Sequence, residues 1–196
     1  VIVSFIYNDN TYTAMRRVVL GDRDLEKIAL LNDISRKMVM GGRTLDYAFK
    51  KMKEIKARKR YSATSVIAAL TLSGPFFAIM FGGTFKDSLF AFLIMAIQAA
   101  FLTLTAKYKL TSFVSNFLGA FIATVLVMLL NKIFLIHNPF SIIIMSLMPL
   151  VPGVQVTNAV RDFMAGDYLS GMIGIQAAIF VSTAIALGVV MGLKLV

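Results

Sequence analysis

The chain has 196 residues, 58% of them hydrophobic and 15% charged, with no Cys, no Trp, one His and a formal net charge of +10. Soluble domains carry about a quarter charged residues, so one water-soluble core is excluded. The lack of Cys removes disulfides, thiolate chemistry and most structural zinc sites, and His137 alone excludes a multi-histidine metal centre. Charge is also segregated: residues 1–60 hold 14 of the 20 Lys/Arg and 7 of the 10 Asp/Glu. That asymmetry divides the chain into a polar segment, residues 1–60, and a membrane domain, residues 61–196. The basic surplus lies beside a membrane span, where the positive-inside rule accounts for it without nucleic acid.

Residues 1–7 are β-branched and aromatic, Asn8-Asp9-Asn10 is a turn signal, and residues 12–20 resume with Tyr, Thr and Val. This pattern predicts a β-hairpin. A lone hairpin is marginal in water, so further strands are expected from sequence before Val1. Asp22 or Asp24 caps a predicted helix with Leu25, Ile28, Leu31, Ile34 and Met38 on one stripe, ending at Gly41-Gly42. Thr44 caps a second helix, with Leu45, Ala48, Phe49, Met52 and Ile55 at helical spacing. The Lys/Arg run from Lys50 to Arg60 reads as a juxtamembrane stretch facing anionic lipid.

Five apolar segments follow, at 62–81, 88–106, 110–130, 140–160 and 168–193, each near the ~20 residues that cross a bilayer. With residues 1–60 inside, Lys107, Lys109 and Arg161 are cytoplasmic, while Lys86, Lys132 and Lys194 lie outside. The N-terminus is therefore expected in the cytoplasm and the C-terminus outside. The predicted fold is an all-α membrane bundle of about five spans behind a small, truncated α+β segment. An odd number of spans predicts a second small membrane subunit, or self-association.

The fourth span carries the candidate site. It contains Pro149-Leu150-Val151-Pro152-Gly153, then Gln155, Thr157 and Asn158, then Arg161 and Asp162. Each Pro removes a backbone donor and obstructs the carbonyl four residues earlier. The span is thus predicted to be broken, with carbonyls near Met145, Ser146 and Met148 freed and the helix resuming at about Val154. Such stretches must face protein, water or solute. A helix start inside the membrane projects partial positive charge suited to a carboxylate. Pro149, Pro152, Gly153, Gln155, Thr157 and Asn158 are the candidate substrate-binding residues, and Arg161, Asp162 and Asp167 candidates for coupling or gating. Ser73-Gly74-Pro75 predicts a similar break in the first span. Gln98, Thr103, Asn116, Thr124 and Gln176 either line a path or bond across helices, the second being the favoured reading, and Gly188 with Gly192 reads as close packing. His137 reads as an ordinary loop residue. No catalytic constellation, metal cluster or phosphate loop is present, so neither an enzyme nor a resident cofactor is expected.

The run Leu150-Val151-Pro152-Gly153, with Asn158-Ala159-Val160-x-Asp162, Gly166-Asp167 and Ser170-Gly171, resembles the threonine/serine exporter family of bacterial membrane proteins. Met15-Arg16-Arg17-Val18, and Asp24-Leu25-x-Lys27 through Gly41-Gly42, resemble that family's soluble domain, which extends upstream of Val1's position. The resemblance implies export of threonine and serine across the bacterial inner membrane by a secondary transporter. In two-polypeptide relatives it implies a small partner subunit and export of dicarboxylates such as succinate. It carries over Pro152, Gly153, Asn158 and Asp162 as family-typical residues. An enzyme built on Asp22, Asp24, Asp33 and Asp46, or a scaffold whose partner transports, are the alternatives from other classes.

Overall fold

The computed structural model describes residues 2–16, 24–58 and 61–196. The expected second-strand extension through residues 17–20, the alternative cap Asp22 and the basic pair Lys59-Arg60 lie outside the described residues. The chain forms two compact units, Val1–Arg60 and Tyr61–Val196.

In the first unit, β1 (Ile2–Tyr7) and β2 (Asn10–Met15) pair antiparallel, with Tyr7 opposite Asn10. Asn8 and Asp9 fill the two-residue turn at φ 48° and 61°, the left-handed backbone that these residues tolerate best after Gly. Phe5 and Tyr12 stack across the strands at 5.3 Å. Helices α1 (Leu25–Val39) and α2 (Leu45–Ala57) pack through Ile34, Ala48 and Ile55. Asp24 accepts the Lys27 N–H and Thr44 the Tyr47 N–H, the expected caps. Arg58 and Glu26 add an exposed ion pair at 2.9 Å, which contributes about 1 kcal/mol or less.

The second unit is the predicted helical membrane bundle. Helices α3 (Ala63–Met80), α4 (Phe85–Lys107), α5 (Ser112–Phe134) and α8 (Tyr168–Leu195) are each long and apolar enough to cross a bilayer. Helices α6 (Pro139–Leu147) and α7 (Gly153–Met164), bent by 60° at the break between them, make a fifth candidate span when taken together. One apolar cluster joins Ala78, Ile94, Met95, Val127, Ile142 and Met145 from α3 to α6. A second gathers Ala120, Leu150, Val181 and Ile185 around the break.

Close approach is set by small residues. A Cβ on Gly74 would stand 2.8 Å from the Met95 Cβ and 3.1 Å from the Ala91 carbonyl oxygen, so α3 lies tight on α4. This accounts for Gly74 and corrects the break expected at Ser73-Gly74-Pro75: α3 runs through Pro75 uninterrupted. A single Pro leaves one carbonyl without its helical donor, and the helix continues past it against α4.

The α3–α4 and α5–α6 connections are joined by a buried carboxylate. Asp87, 1% exposed, accepts from the Thr84 N–H at 2.8 Å and the Thr84 hydroxyl at 2.8 Å. It also accepts the His137 N–H at 3.2 Å, while Asn138 donates to the Gly82 carbonyl. The Thr84 hydroxyl accepts in turn from the Asp87 N–H, completing a capping box that starts α4 at Phe85, three residues before the span expected from residue 88. Asp87→Ala strips an acceptor from two backbone donors and is expected to destabilise the bundle by about 2–4 kcal/mol. Asp87→Asn, which keeps a carbonyl oxygen, should lie between. Thermal unfolding in detergent reads both, and an unshifted midpoint for Asp87→Ala would show that this knot does not hold the loops.

Candidate functional site

The break is built by backbone chemistry. Pro149 lies in a single 3-10 turn, Met148–Leu150, and Pro152 directly precedes α7. The expected freed carbonyls are partly recovered by tighter bonds, with the Met148 N–H donating to the Met145 oxygen and Val151 N–H to that of Met148 at 3.4 Å. Across Pro152, at φ −80° and ψ 48°, the Gly153 N–H reaches the Val151 oxygen at 2.9 Å, an inverse γ-turn. The helix resumes at Gly153, one residue before the expected Val154.

The new helix opens with the Val156 N–H donating to the Pro152 carbonyl at 3.1 Å. Pro152 offers no side-chain cap. Among the described residues, no bond ties the Val154 or Gln155 N–H back to the preceding turn. Two backbone donors and the positive end of the α7 dipole are thus presented together at the break.

One face of α7 is committed to α8. A Cβ on Gly174 would stand 2.8 Å from the Ala159 Cβ, and one on Gly171 would stand 2.9 Å from the Phe163 ring. The remaining faces carry the polar residues. Gln155, Thr157 and Arg161 are exposed, while Asn158 and Asp162 are half-buried. Thr157, Asn158 and Arg161 share the side of α7 turned from Ala159 and Phe163, as the 100° helical step dictates. The Thr157 hydroxyl donates to the Gly153 carbonyl at 2.9 Å, and so braces the first turn of α7.

Other candidate positions find structural duties. Gly153 is not required by close approach, since a Cβ there meets nothing within 4 Å. Arg161 and Asp162 lie inside α7, which continues to Met164, instead of in the expected connection. Asp167 caps α8, accepting from the Ser170 N–H at 3.3 Å and the Ser170 hydroxyl at 2.8 Å.

Beside the start of α7 the bundle surface holds a depression of about 390 Å³, lined by Val156, Ile175, Ala178, Ile179, Ser182, Thr183 and Ala186. Its hydroxyls come from Ser182 and Thr183 on α8, residues that the sequence reading passed over. Single hydroxyls in a long apolar helix carry no periodic signature. Only the route of α7 along α8 identifies their flank.

The bonds expected across helices take another form. Thr103 and Thr124 donate to carbonyls of their own helices, Ala99 and Ala120, at 2.8 Å. Gln98 is 2% exposed, and its Nε2 has no partner among the described residues. An unpaired buried amide costs about 1–3 kcal/mol.

Across residues 1–196 the chain matches the model of a family described as "Putative threonine/serine exporter". It is 24% identical over 200 residues to a protein described as "Probable threonine/serine exporter" from Mycobacterium tuberculosis. The match covers 99% of this chain and 37% of that relative, so the chain spans under two fifths of the relative's length. No solved structure matches it.

Proposed function

The chain belongs to the threonine/serine exporter family, and on that premise we propose that it exports threonine and serine across the bacterial inner membrane as a secondary transporter. The observation that carries this reading is the broken fourth span. Two unbonded N–H groups at Val154 and Gln155 adjoin a depression with two hydroxyls, and Gln155, Thr157 and Arg161 on α7 are exposed. Lipid satisfies neither N–H group, so both face water, solute or protein. The helix start receives the solute carboxylate. Gln155 and Asn158 then address its amine or hydroxyl, and Pro149, Pro152 and Gly153 keep the break open. Arg161, Asp162 and Asp167 stand at the cytoplasmic end, where coupling or gating takes place.

The exposed polar residues of α7, Gln155, Thr157 and Arg161, also support a second membrane subunit or a second copy completing the path. With residues 1–60 in the cytoplasm, the C-terminus is outside.

The test loads threonine, serine and succinate separately into proteoliposomes holding the protein, with and without a partner subunit. Threonine and serine efflux above empty liposomes is expected. Efflux of succinate alone would reassign the substrate to small dicarboxylates. Gln155→Ala and Asn158→Ala are each expected to cut efflux about tenfold or more, the scale of a lost bond to a charged group. Folded variants that export at the wild-type rate would remove these two residues from the site.

A further inference from the structure

We propose that Gln98 is the inner contact of the solute path, closed off from the depression by Leu150 and reached when the turn carrying Leu150 moves. The inference rests on the transport reading above and adds a second polar station to it.

Gln98 lies near the middle of α4, among residues packed on neighbouring helices, where an amide without a partner is unfavourable. Most other polar side chains inside the bundle relieve that penalty locally; the buried Thr71 hydroxyl on α3, like Gln98, has no partner among the described residues. The hydroxyls of Thr103, Thr105, Thr124 and Ser146 all donate to carbonyls within their own helices. Gln98 has a longer side chain, which carries its amide away from its own backbone and towards α5. Gly119 leaves it room there: a Cβ on Gly119 would stand 3.0 Å from the Gln98 Nε2. The same point is 3.4 Å from the Leu150 Cδ1, so the amide and the Leu150 side chain are neighbours.

Leu150 is the last residue of the 3-10 turn at the break. It is 5% exposed and packs on Ala120, Val181 and Ile185. Val181 adjoins Ser182 on α8, and Ser182 lines the depression. Leu150 therefore lies beside the buried unpaired amide and packs on the residue that precedes Ser182 at the edge of the largely apolar depression. The turn that holds it has lost two helical donors to proline, and its closing bond, Val151 N–H to Met148 oxygen, is long at 3.4 Å. Leu150 is thus mounted on a loosely bonded turn. A solute that displaces it gains a group able to donate to a carboxylate or accept from an ammonium, the two ends of a zwitterionic amino acid.

The experiment compares wild type with Gln98→Leu, an apolar side chain of similar size, in proteoliposomes and in thermal unfolding. Gln98→Leu is expected to melt level with or above wild type, because the unpaired amide is gone. Its threonine efflux is expected to fall at least tenfold, while the thermal shift on adding threonine persists through the intact depression. A merely structural glutamine gives the opposite pattern, and a lower melting point for Gln98→Leu overturns the inference. Wild-type efflux surviving in Gln98→Leu overturns this inference alone. Wild-type protein inert towards threonine, serine and succinate overturns the transport reading and this inference with it.

Because the chain contains no cysteine, Gln98→Cys supplies a single thiol for an independent reading. A small water-borne thiol reagent should modify it faster when threonine is present. A reaction rate that threonine leaves unchanged counts against the moving turn and overturns the proposal.

Discussion

Replacing both prolines of the break, Pro149→Ala with Pro152→Ala, is expected to cut solute efflux at least about tenfold, the scale of one strong hydrogen bond, with a thermal midpoint level or higher. The two effects have one cause. A proline inside a helix costs about 3 kcal/mol, because it lacks a donor and obstructs the carbonyl four residues back. With alanine, the N–H groups at 149 and 152 can bond the Met145 and Met148 oxygens, which now serve tighter three-residue bonds. The two half-helices would then run on as one. The Leu150 and Val151 carbonyls would come beneath the Val154 and Gln155 N–H groups and bond them. Both unbonded donors and the exposed helix terminus would disappear, leaving no positive end for a carboxylate. Pro149→Ala alone keeps Pro152 in front of α7 and should show a smaller effect. A double variant exporting at the wild-type rate would reduce the break to a packing feature.

Much of this architecture was legible in the sequence, for identifiable reasons. Long apolar runs with few charges admit little besides membrane helices. Two prolines three residues apart, followed by glycine, located the break to within one residue. The Asn8-Asp9 turn and the caps Asp24 and Thr44 depend on local chemistry and were equally readable. Thr84-x-x-Asp87 was readable on the same grounds. The hydropathy boundary at residue 88 nonetheless fell three residues inside that helix.

What stayed hidden depended on which helix neighbours which. Ser182 and Thr183 acquire a site only because α7 covers one flank of α8 and stops beside them. Gln98 gave no sign that its amide would find room at Gly119 and no partner. The polar residues of α7 were identifiable by type. That Thr157 and Arg161 stay exposed was not, because it follows from α7 packing through Ala159 and Phe163 on Gly174 and Gly171.

Gly188→Leu is expected to have the largest effect on folding, destabilising the bundle by roughly 3 kcal/mol or more, at or beyond the upper end for overpacking. A Cβ at Gly188 would press on the Phe117 carbonyl oxygen and stand 3.0 Å from both the Ala120 Cβ and the Phe121 nitrogen. One turn on, a Cβ at Gly192 would be 2.9 Å from the Thr124 Cβ. These neighbours are largely backbone, which cannot rotate aside as a flexible side chain can, so α8 itself would have to retreat from α5. Lipid tails are as apolar as the side chains they would replace, so close packing is what holds two such helices together. Retreat of α8 would also open the cluster of Ala120, Leu150, Val181 and Ile185 and displace Ser182 with it. Efflux should therefore fall alongside the thermal midpoint. Gly153→Ala is the matched control: its Cβ meets nothing within 4 Å, so stability should hold or rise by up to about 1 kcal/mol from lost chain entropy. If Gly188→Leu melts with the wild type, α5 and α8 do not meet through this glycine, and the wall of the depression must be sought elsewhere.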